Sequence, residues 1–431
     1  MGAPERIQGS LLRFVTAGSV DDGKSTLIGR LLHDSKGLFA DQLSAIEAAS
    51  RRRGFGGLDL SLITDGLLSE REQGITIDVA YRYFATPLRK FIIGDSPGHL
   101  QYTRNMVTAA STADLAVLLV DARTGIVSQT RRHAYLAHWL GVAHLVLAVN
   151  KMDLAGWSQA RFEAIRDEFA RFAETLGFAD AQAIPLCALS GDNVVERSAA
   201  APWYHGPTLL AHLETVPAAG PAAQGPFRMA VQRVVRIAGG NAQAGSGFEH
   251  APFRGYQGTV AGGVVATGDA VLAVASGQPA TVRRLIGTSG EIGFAAAGDA
   301  VTIELDRDID LSRGDLLAAP GQPPARLRTL EVDLCWFDAA PLDPSRPYLL
   351  KQGSATVRAR LERIVHRIDI ERLERVAGDE PFAMNDVGRV RLALQQPLAL
   401  DDYRSNRSLG ALILIDEVTH RTVAAGTIAH G

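Results

Sequence analysis

Gly18-Ser19-Val20-Asp21-Asp22-Gly23-Lys24-Ser25 fits the pattern GxxxxGK[ST] and decides the fold class of this 431-residue chain. Its glycines let the backbone turn so that successive N–H groups face one anion, and the positive end of a following helix adds to the attraction. Gly-rich turns match such a pattern by chance, so the flanks matter. Leu11 to Ala17 reads as a buried strand, and Thr26 to His33 as a helix with Leu27, Leu31 and Leu32 on one face. Strand, loop and helix in this order predict a phosphate loop. Gly18 to Thr26 surround the phosphates, Lys24 reaches the β- and γ-phosphates, and the Ser25 hydroxyl binds Mg²⁺. Asp21 holds the loop's shape or a monovalent cation.

A phosphate loop leaves ATP and GTP equally open. Asn150-Lys151-Met152-Asp153 follows the apolar strand Leu145 to Val149, at the carboxyl end where open α/β sheets bind nucleotides. A carboxylate at Asp153 accepts from guanine N1–H and from the exocyclic amine, a donor pair adenine lacks. Asn150 bonds the base or ties this loop to Gly18-Ser19, and the Lys151 stem lies along the ring. Guanine is the expected base.

Asp95-Ser96-Pro97-Gly98-His99 comes after the strand Phe91 to Gly94. Asp95 is expected to hold Mg²⁺ through water, and the Gly98 N–H to meet the γ-phosphate. His99 either orients the attacking water or caps the next helix. Thr76, in Gly74-Ile75-Thr76-Ile77, is the remaining expected Mg²⁺ ligand, although a Thr before a strand is by itself only a β-former. The four motifs in this order predict a protein that binds GTP, GDP and Mg²⁺ and hydrolyses GTP, with Lys24, Thr76 and His99 as catalytic residues.

Motif order resembles the translation-factor GTPases, because a His follows the DxxG glycine and a GITI-type segment precedes it. Four segments carry a narrower resemblance: Gly18 to Ser35 (GSVDDGKSTLIGRLLHDS), Thr64 to Phe84 (TDGLLSEREQGITIDVAYRYF), Asp95 to Met106 (DSPGHLQYTRNM) and Asp121 to His133 (DARTGIVSQTRRH). They resemble the large, GTP-hydrolysing subunit of the two-component sulfate adenylyltransferases. Phe253 to Thr259 (FRGYQGT) and Gly268-Asp269 resemble that family's second domain. The resemblance implies that GTP hydrolysis drives synthesis of adenosine 5′-phosphosulfate and diphosphate from ATP and sulfate at a smaller, adenylyl-transferring partner subunit, in sulfate assimilation. It also implies that Cys187-Ala188-Leu189 contacts guanine O6 through backbone N–H groups, with Cys where the family usually has Ser. A rival reading keeps the GTPase and changes the client to aminoacyl-tRNA, as in an elongation-factor-like protein. Mild acidity and the DVAYRYF segment stand against it. A third reading, an assembly scaffold with degenerate GTPase residues, meets the objection that every motif residue is present apart from the exchange at Cys187.

Composition sets the remaining limits. A chain of this length suggests two to four domains, and 46% apolar residues support compact folding. Net charge of −3 gives no general attraction to nucleic acid, so no such partner is expected, and Arg51-Arg52-Arg53 reads as a solvated face. Two cysteines, Cys187 and Cys335, fit a reducing cytoplasm rather than a disulfide scaffold. Met1 to Ser10 lacks the apolar stretch of a secretion signal, and no run approaches the ~20 apolar residues of a membrane span. No second phosphate loop occurs in the sequence, so a fused adenylylsulfate kinase is not expected.

The expected architecture is an α/β P-loop GTPase domain, doubly wound on a mostly parallel sheet, over 11–216. Two small antiparallel β-barrel domains follow, at 226–320 and 325–431. Leu115 to Asp121 reads as a parallel strand covered on both faces, with helices at Gln129 to Leu140 and Ser158 to Gly177. Val216-Pro217 to Pro226 and Ala319 to Pro324 are the breaks. Barrel strands are expected at Met229 to Val235, Gly258 to Val265, Ala270 to Val274, Thr281 to Ile286 and Ala300 to Leu305. The last barrel takes Leu327 to Phe337, Tyr348 to Ile364, Arg389 to Leu394, Leu409 to Ile415 and Thr422 to Ile428. Asp34 to Thr76 reads as a partner-sensing loop or a quiet surface helix, and Arg236 to Ala251 as a Gly/Ala-rich insertion without an assigned role.

Overall fold

A computed structural model describes residues 10–35, 44, 46, 50, 59–63, 78–178, 181–218, 225–237 and 253–429. The chain divides into two compact units, Met1–Ala219 with Ile370–Leu373, and Gly220–Asp369 with Glu374–Gly431. Thr76, Arg51 to Arg53 and most of the 34–76 stretch and the 236–251 insertion lie outside the described residues.

The first unit is built on six strands: β1 (Leu11–Gly18), β2 (Ala80–Ala85), β3 (Lys90–Asp95), β4 (Leu115–Asp121), β5 (His144–Asn150) and β6 (Ala181–Pro185). They lie in the order β2-β3-β1-β4-β5-β6, parallel throughout except that β2 runs antiparallel to β3. All seven residues of β4 are buried, which explains why its sequence lacks polar alternation: a central parallel strand is covered on both faces. Among the described helices are α1 (Lys24–Asp34), α2 (Thr103–Ala110), α3 (Ser128–Trp139), α4 (Gln159–Thr175) and α5 (Leu209–Thr215). The Ser158 Oγ accepts from Arg161 N–H at 3.3 Å, and Thr208 Oγ1 accepts from Ala211 N–H at 3.3 Å, so α4 and α5 start at side-chain caps.

Leu27, Ile28 and Leu31 of α1 are fully buried in one cluster with Phe14, Phe84, Phe91 and Ile93. Phe84 stacks on Phe91 with ring centres 4.5 Å apart. Each such side chain stabilises the fold by about 1.5–3 kcal/mol, so the strand and helix that flank the phosphate loop are fixed by packing before any ligand arrives. The far end of the β2–β3 hairpin is fixed differently. Arg89 is 2% exposed, and its Nη1 donates to the carbonyls of Leu213 (3.0 Å) and Val216 (2.5 Å), satisfying groups that α5 leaves open at its C-terminus.

In the second unit two sheets close on themselves. Arg228–Ala230, Phe253–Gly262, Ala300–Leu305, Gln278–Gly287, Ala270–Ala273 and Leu316–Ala318 pair antiparallel in that order, and the last pairs with the first. The second ring is Ala325–Trp336, Val387–Leu400, Ala355–Asp369, Pro347–Gln352, Ala411–Asp416 and Thr422–Ile428, again returning to its first strand. Closure removes the open edges that would otherwise invite pairing between molecules. The expected fold class, an α/β nucleotide-binding sheet followed by two antiparallel barrels, is the one observed.

Strand limits needed four corrections. Gly258 to Val265 is split at Gly263 (φ 67°) between Phe253–Gly262 and Val264–Ala266, and Leu409 lies in a short helix, Arg407–Gly410, so the strand expected there starts at Ala411. Tyr348 to Ile364, one run in the sequence, is a hairpin broken at Gly353, whose φ of 54° only a glycine adopts without strain. Met229 to Val235 is likewise two strands, Arg228–Ala230 and Arg233–Ile237, because Val231 N–H leaves the ladder for the Asp315 carbonyl at 2.8 Å. A small apolar cluster of Val274, Leu316, Ala318 and Leu409, with Ala230, Ala261 and Ala399 packed on it, joins the two rings.

Candidate nucleotide site

β1, β3, β4 and β5 end at Gly18, Asp95, Asp121 and Asn150, so the parallel sheet delivers the sequence motifs to one carboxyl edge. At the first of these ends the chain turns through Asp21 (φ 67°) and Gly23 (φ 91°) into α1. A Cβ added at Gly23 would lie 2.4 Å from Asn150 Nδ2, so the position admits no side chain. Asp22, 6% exposed, turns its carboxylate back onto the loop, where Oδ2 accepts from Ser19 N–H at 2.6 Å. Burial raises the Asp22 pKa to about 6, against the Ser19 bond and the attraction of Lys24 and Lys151. The loop's shape is thus held by Asp22, while Asp21 is exposed.

Lys24 is 7% exposed, and its Nζ donates to the Gly18 and Ser19 carbonyls at 3.0 Å each. Burial pushes its pKa down, and the carboxylates of Asp95, Asp22 and Asp21 pull it back. The ammonium therefore lies folded over the loop that its sequence assigns to phosphate. Gly98 approaches the same point: a Cβ there would fall 2.6 Å from both the Gly18 carbonyl oxygen and Lys24 Nζ. Ser96 anchors this segment to β1 through its Oγ, which donates to the Thr16 carbonyl at 2.7 Å. His99 is exposed, its ring edge-on to Tyr102 with centres 6.3 Å apart, and the start of α2 has no side-chain cap. His99 opens the intervening 3₁₀ turn Leu100–Tyr102 through its backbone, its carbonyl accepting from Tyr102 N–H at 3.0 Å.

Asn150, 2% exposed, joins the phosphate loop to the base loop. Its Nδ2 donates to the Asp22 carbonyl at 2.7 Å, and its Oδ1 accepts from Ala188 N–H at 2.9 Å. The tie reaches Asp22 rather than Gly18-Ser19. Ala188 N–H is engaged within the protein, as is Cys187 N–H, which donates to Asp192 O at 3.1 Å. Arg30 of α1 adds a second brace, donating through Nε to the Ala188 carbonyl at 3.3 Å and through Nη2 to the Leu189 carbonyl. Burial raises the Cys187 thiol, Ser190 opposes the rise and the nearby Asp153 adds to it. Asp153 itself is exposed, on a short 3₁₀ turn Met152–Ala155.

Three functional-looking groups were not singled out from the sequence. Asp121, 5% exposed, is gripped by Arg123 through Nη2 and Nε (2.6 and 3.0 Å) and by Lys151 Nζ at 3.1 Å; the Arg123 bonds above all hold its carboxyl well below the usual range. Lys151 is thereby positioned over the base loop. A carboxylate ending an all-apolar strand was the available signal. His133 of α3 is 2% exposed, its pKa pushed down to about 3 mainly by burial, with Gln129 Nε2 at 2.8 Å from its Nε2. Arg30, the third, carries no sequence signal, since its role depends on where the base loop falls.

The arrangement fits a nucleotide. Ser19 Oγ is buried without a hydrogen-bond partner, α1 presents its N-terminus through a left-handed glycine, and cationic Lys24 stands over it. Among the described residues no three His, Cys, Asp or Glu side chains gather as a metal cluster, so a divalent cation would depend on one carboxylate, hydroxyls and phosphate oxygens, the habit of Mg²⁺.

Comparison with known proteins agrees with this geometry. The family described as elongation factor Tu GTP binding domain matches residues 9–219, and that described as GTP-eEF1A C-terminal domain-like matches residues 329–429. The chain is 51% identical to the bifunctional enzyme CysN/CysC of Mycobacterium tuberculosis over 97% of its own length and 67% of that protein. It is 48% identical to sulfate adenylyltransferase subunit 1 of Laribacter hongkongensis (97% of this chain, 85% of that one) and 49% identical to the Chromobacterium violaceum protein of the same name (97% and 86%). Among solved structures, Sup35 complexed with GDP aligns at 22% identity and TM-score 0.43 over 98% of this chain and 94% of that one, too distant to carry an argument. At these identities over nearly the whole sequence, the chain belongs to the sulfate adenylyltransferase subunit 1 family.

Proposed function

We propose that this chain is the GTP-hydrolysing regulatory subunit of a sulfate adenylyltransferase, driving formation of adenosine 5′-phosphosulfate and diphosphate from ATP and sulfate at a smaller partner subunit. The observation that carries the reading is the meeting of Lys24, Gly98 and Asn150 at one sheet edge, in a chain of this family. Gly18 to Thr26 cradle the phosphates, and Lys24 exchanges its two carbonyl bonds for β- and γ-phosphate oxygens. Ser25, Asp95 and Thr76 hold Mg²⁺. The cation, when bound, neutralises charge on the β–γ bridge and the leaving phosphate. His99, whose ring is exposed, orients the attacking water. Asp153 accepts from guanine N1–H and the exocyclic amine while Asp121 and Arg123 hold Lys151 beside it. Cys187 supports Asp153, and the Leu189 N–H is the backbone donor in that loop left for guanine O6, since those of Cys187 and Ala188 are engaged.

Adenylyl sulfate contains a mixed anhydride that diphosphate readily reverses, so the partner complex must bind the GTP and GDP states differently. A tenfold shift in that equilibrium needs about 1.4 kcal/mol of difference, and a shift from 1:99 to 99:1 about 5.5 kcal/mol. Only γ-phosphate contacts differ between the nucleotides, and these begin at Gly98 and Thr76. The domains are assigned as 11–216, 226–320 and 325–431, and the cytoplasm as the compartment, given that both cysteines are free and buried. No helix among the described residues is long and apolar enough to cross a membrane. The aminoacyl-tRNA reading finds no support in the relatives.

The test mixes the chain with the smaller subunit, sulfate, ATP and either GTP or a non-hydrolysable analogue, and follows diphosphate release. Product beyond the uncoupled equilibrium with GTP alone supports the reading. Equal product with the analogue contradicts energetic coupling.

A further inference from the structure

The outer face of the β2–β3 hairpin carries a feature that nucleotide chemistry does not use. A cavity of about 250 Å³ opens there, lined by Phe14, Ile92, Ala109 and Ala113, with Tyr81 and Tyr83 beside it. Tyr81 and Tyr83 are 41% and 68% exposed, on a strand that, among the described residues, pairs on one side only. Gly94 forms part of the floor: a Cβ there would meet Ala109 at 3.2 Å and the Tyr81 ring at 3.7 Å. The opposite face of the same hairpin, with Phe84, Phe91 and Ile93, is buried against α1, so the alternation places one aromatic set in the core and the other at the surface. Exposed aromatics around an apolar cavity mark a contact surface.

Charge indicates what covers it. Arg13 is the single charged residue among the described residues that line the cavity, and exposed Lys90 stands two residues before Ile92, on the same face of β3. A second copy related by a twofold axis would bring these cations together, which disfavours self-association. A polyanion such as RNA would meet an overall charge of −3 and no more than Arg13 and Lys90 as cations at this face, short of the basic track along which a nucleic-acid backbone is bound. The hairpin is also continuous with the nucleotide site. β3 runs directly into Asp95 and Gly98, and Arg89 pins the hairpin's other end to α5.

Resting on the function proposed above, we infer that this face is the docking surface for the smaller subunit. That subunit contributes a bulky apolar side chain, which fills the cavity between Tyr81 and Tyr83, and a carboxylate that meets Arg13 and Lys90. Docking there places the partner against a hairpin whose Asp95 end, opposite the Arg89 turn, runs into the segment assigned to the γ-phosphate.

The experiment compares wild type with Tyr83→Asp and Arg13→Glu, measuring association with the smaller subunit by sedimentation and GDP affinity by calorimetry. Each variant should weaken the complex by about tenfold or more, as central contacts do, while GDP affinity stays within about twofold. Unchanged association of both variants, with wild type still binding and stimulated by GTP, would overturn the docking surface and leave the functional reading standing. A wild type that does not associate at all would overturn both. Loss of GDP binding in either variant would also overturn the proposal, since the face would then belong to the nucleotide fold. So would wild-type self-association, or binding of a single-stranded RNA probe, abolished by the same substitutions.

Discussion

Charged groups are buried in both units, but on different terms. In the barrels they come with matched partners. Arg228, 4% exposed, meets Asp401 through Nε and Nη2 at 3.0 and 3.3 Å, and Glu304, 6% exposed, accepts from Arg284 at 2.5 Å. At the carboxyl edge of the first unit's sheet, Lys24 has only two carbonyls, Asp22 is held neutral up to about pH 6, and Ser19 Oγ has no partner. These two barrel ion pairs are finished by folding, whereas Lys24 and Ser19 at the sheet edge, unlike the neighbouring Asp121 held by Arg123 and Lys151, remain incomplete until something else arrives. Binding sites are expected to carry such unmet potential, and structural interiors are not.

That contrast can be broken in three ways. Lys24→Ala should remove the group on which phosphate stabilisation depends and lower GTPase kcat/KM on the order of 10⁴-fold, about 5 kcal/mol, in a turnover assay. A loss below about tenfold would place the chemistry elsewhere. Arg228→Met should leave the half-buried Asp401 unpaired, costing the second unit about 3 kcal/mol in urea unfolding with GDP affinity unchanged. An altered GDP affinity would mean that barrel and site are not separable. Gly98→Ala should cost about 100-fold in GTP affinity, near 2.7 kcal/mol, because its Cβ would collide with backbone and with Lys24.

The smallest effect sharpens the comparison most. Because the Asp22 pKa is raised from 3.8 to about 6, the folded protein keeps a proton that the unfolded chain has lost across that window. Stability therefore falls as pH rises through it, and the carboxylate is a cost at neutral pH. Asp22→Asn, which can still accept from Ser19 N–H, should stabilise the ligand-free protein by about 1–2 kcal/mol at pH 7.5 and by nothing measurable near pH 4. Melting curves at the two pH values decide it. Destabilisation at pH 7.5 would show that the bond to Ser19 outweighs burial.

Much of the first unit was readable because its signals are local. Leu115 to Asp121 came out with the limits observed, since an uninterrupted apolar run bounded by polar residues leaves a strand few alternatives. The phosphate loop was readable because a loop, once flanked by strand and helix, has its backbone fixed by its glycines. Groups acting across the sheet were not. Asp22 and Asp21 look alike in sequence, and only the left-handed turn at Asp21 sends one carboxylate outward and the other inward. Asn150's motif predicted a tie to the phosphate loop as one of two roles but not its partners, Asp22 and Ala188, 128 and 38 residues away, and Arg30 reaches the base loop across 158 residues with no local signature. In the barrels, hairpins such as the one at Gly353 were merged with their strands because a tight turn interrupts the β-branched pattern for only two residues.

The central claim is that the sheet edge of the first unit selects guanine and grips its phosphates. Calorimetric titration of the ligand-free protein with GDP and with ADP addresses it most directly. The account predicts GDP bound at least about 100-fold more tightly, a difference near 2.7 kcal/mol. Equal affinity for the two nucleotides would contradict it.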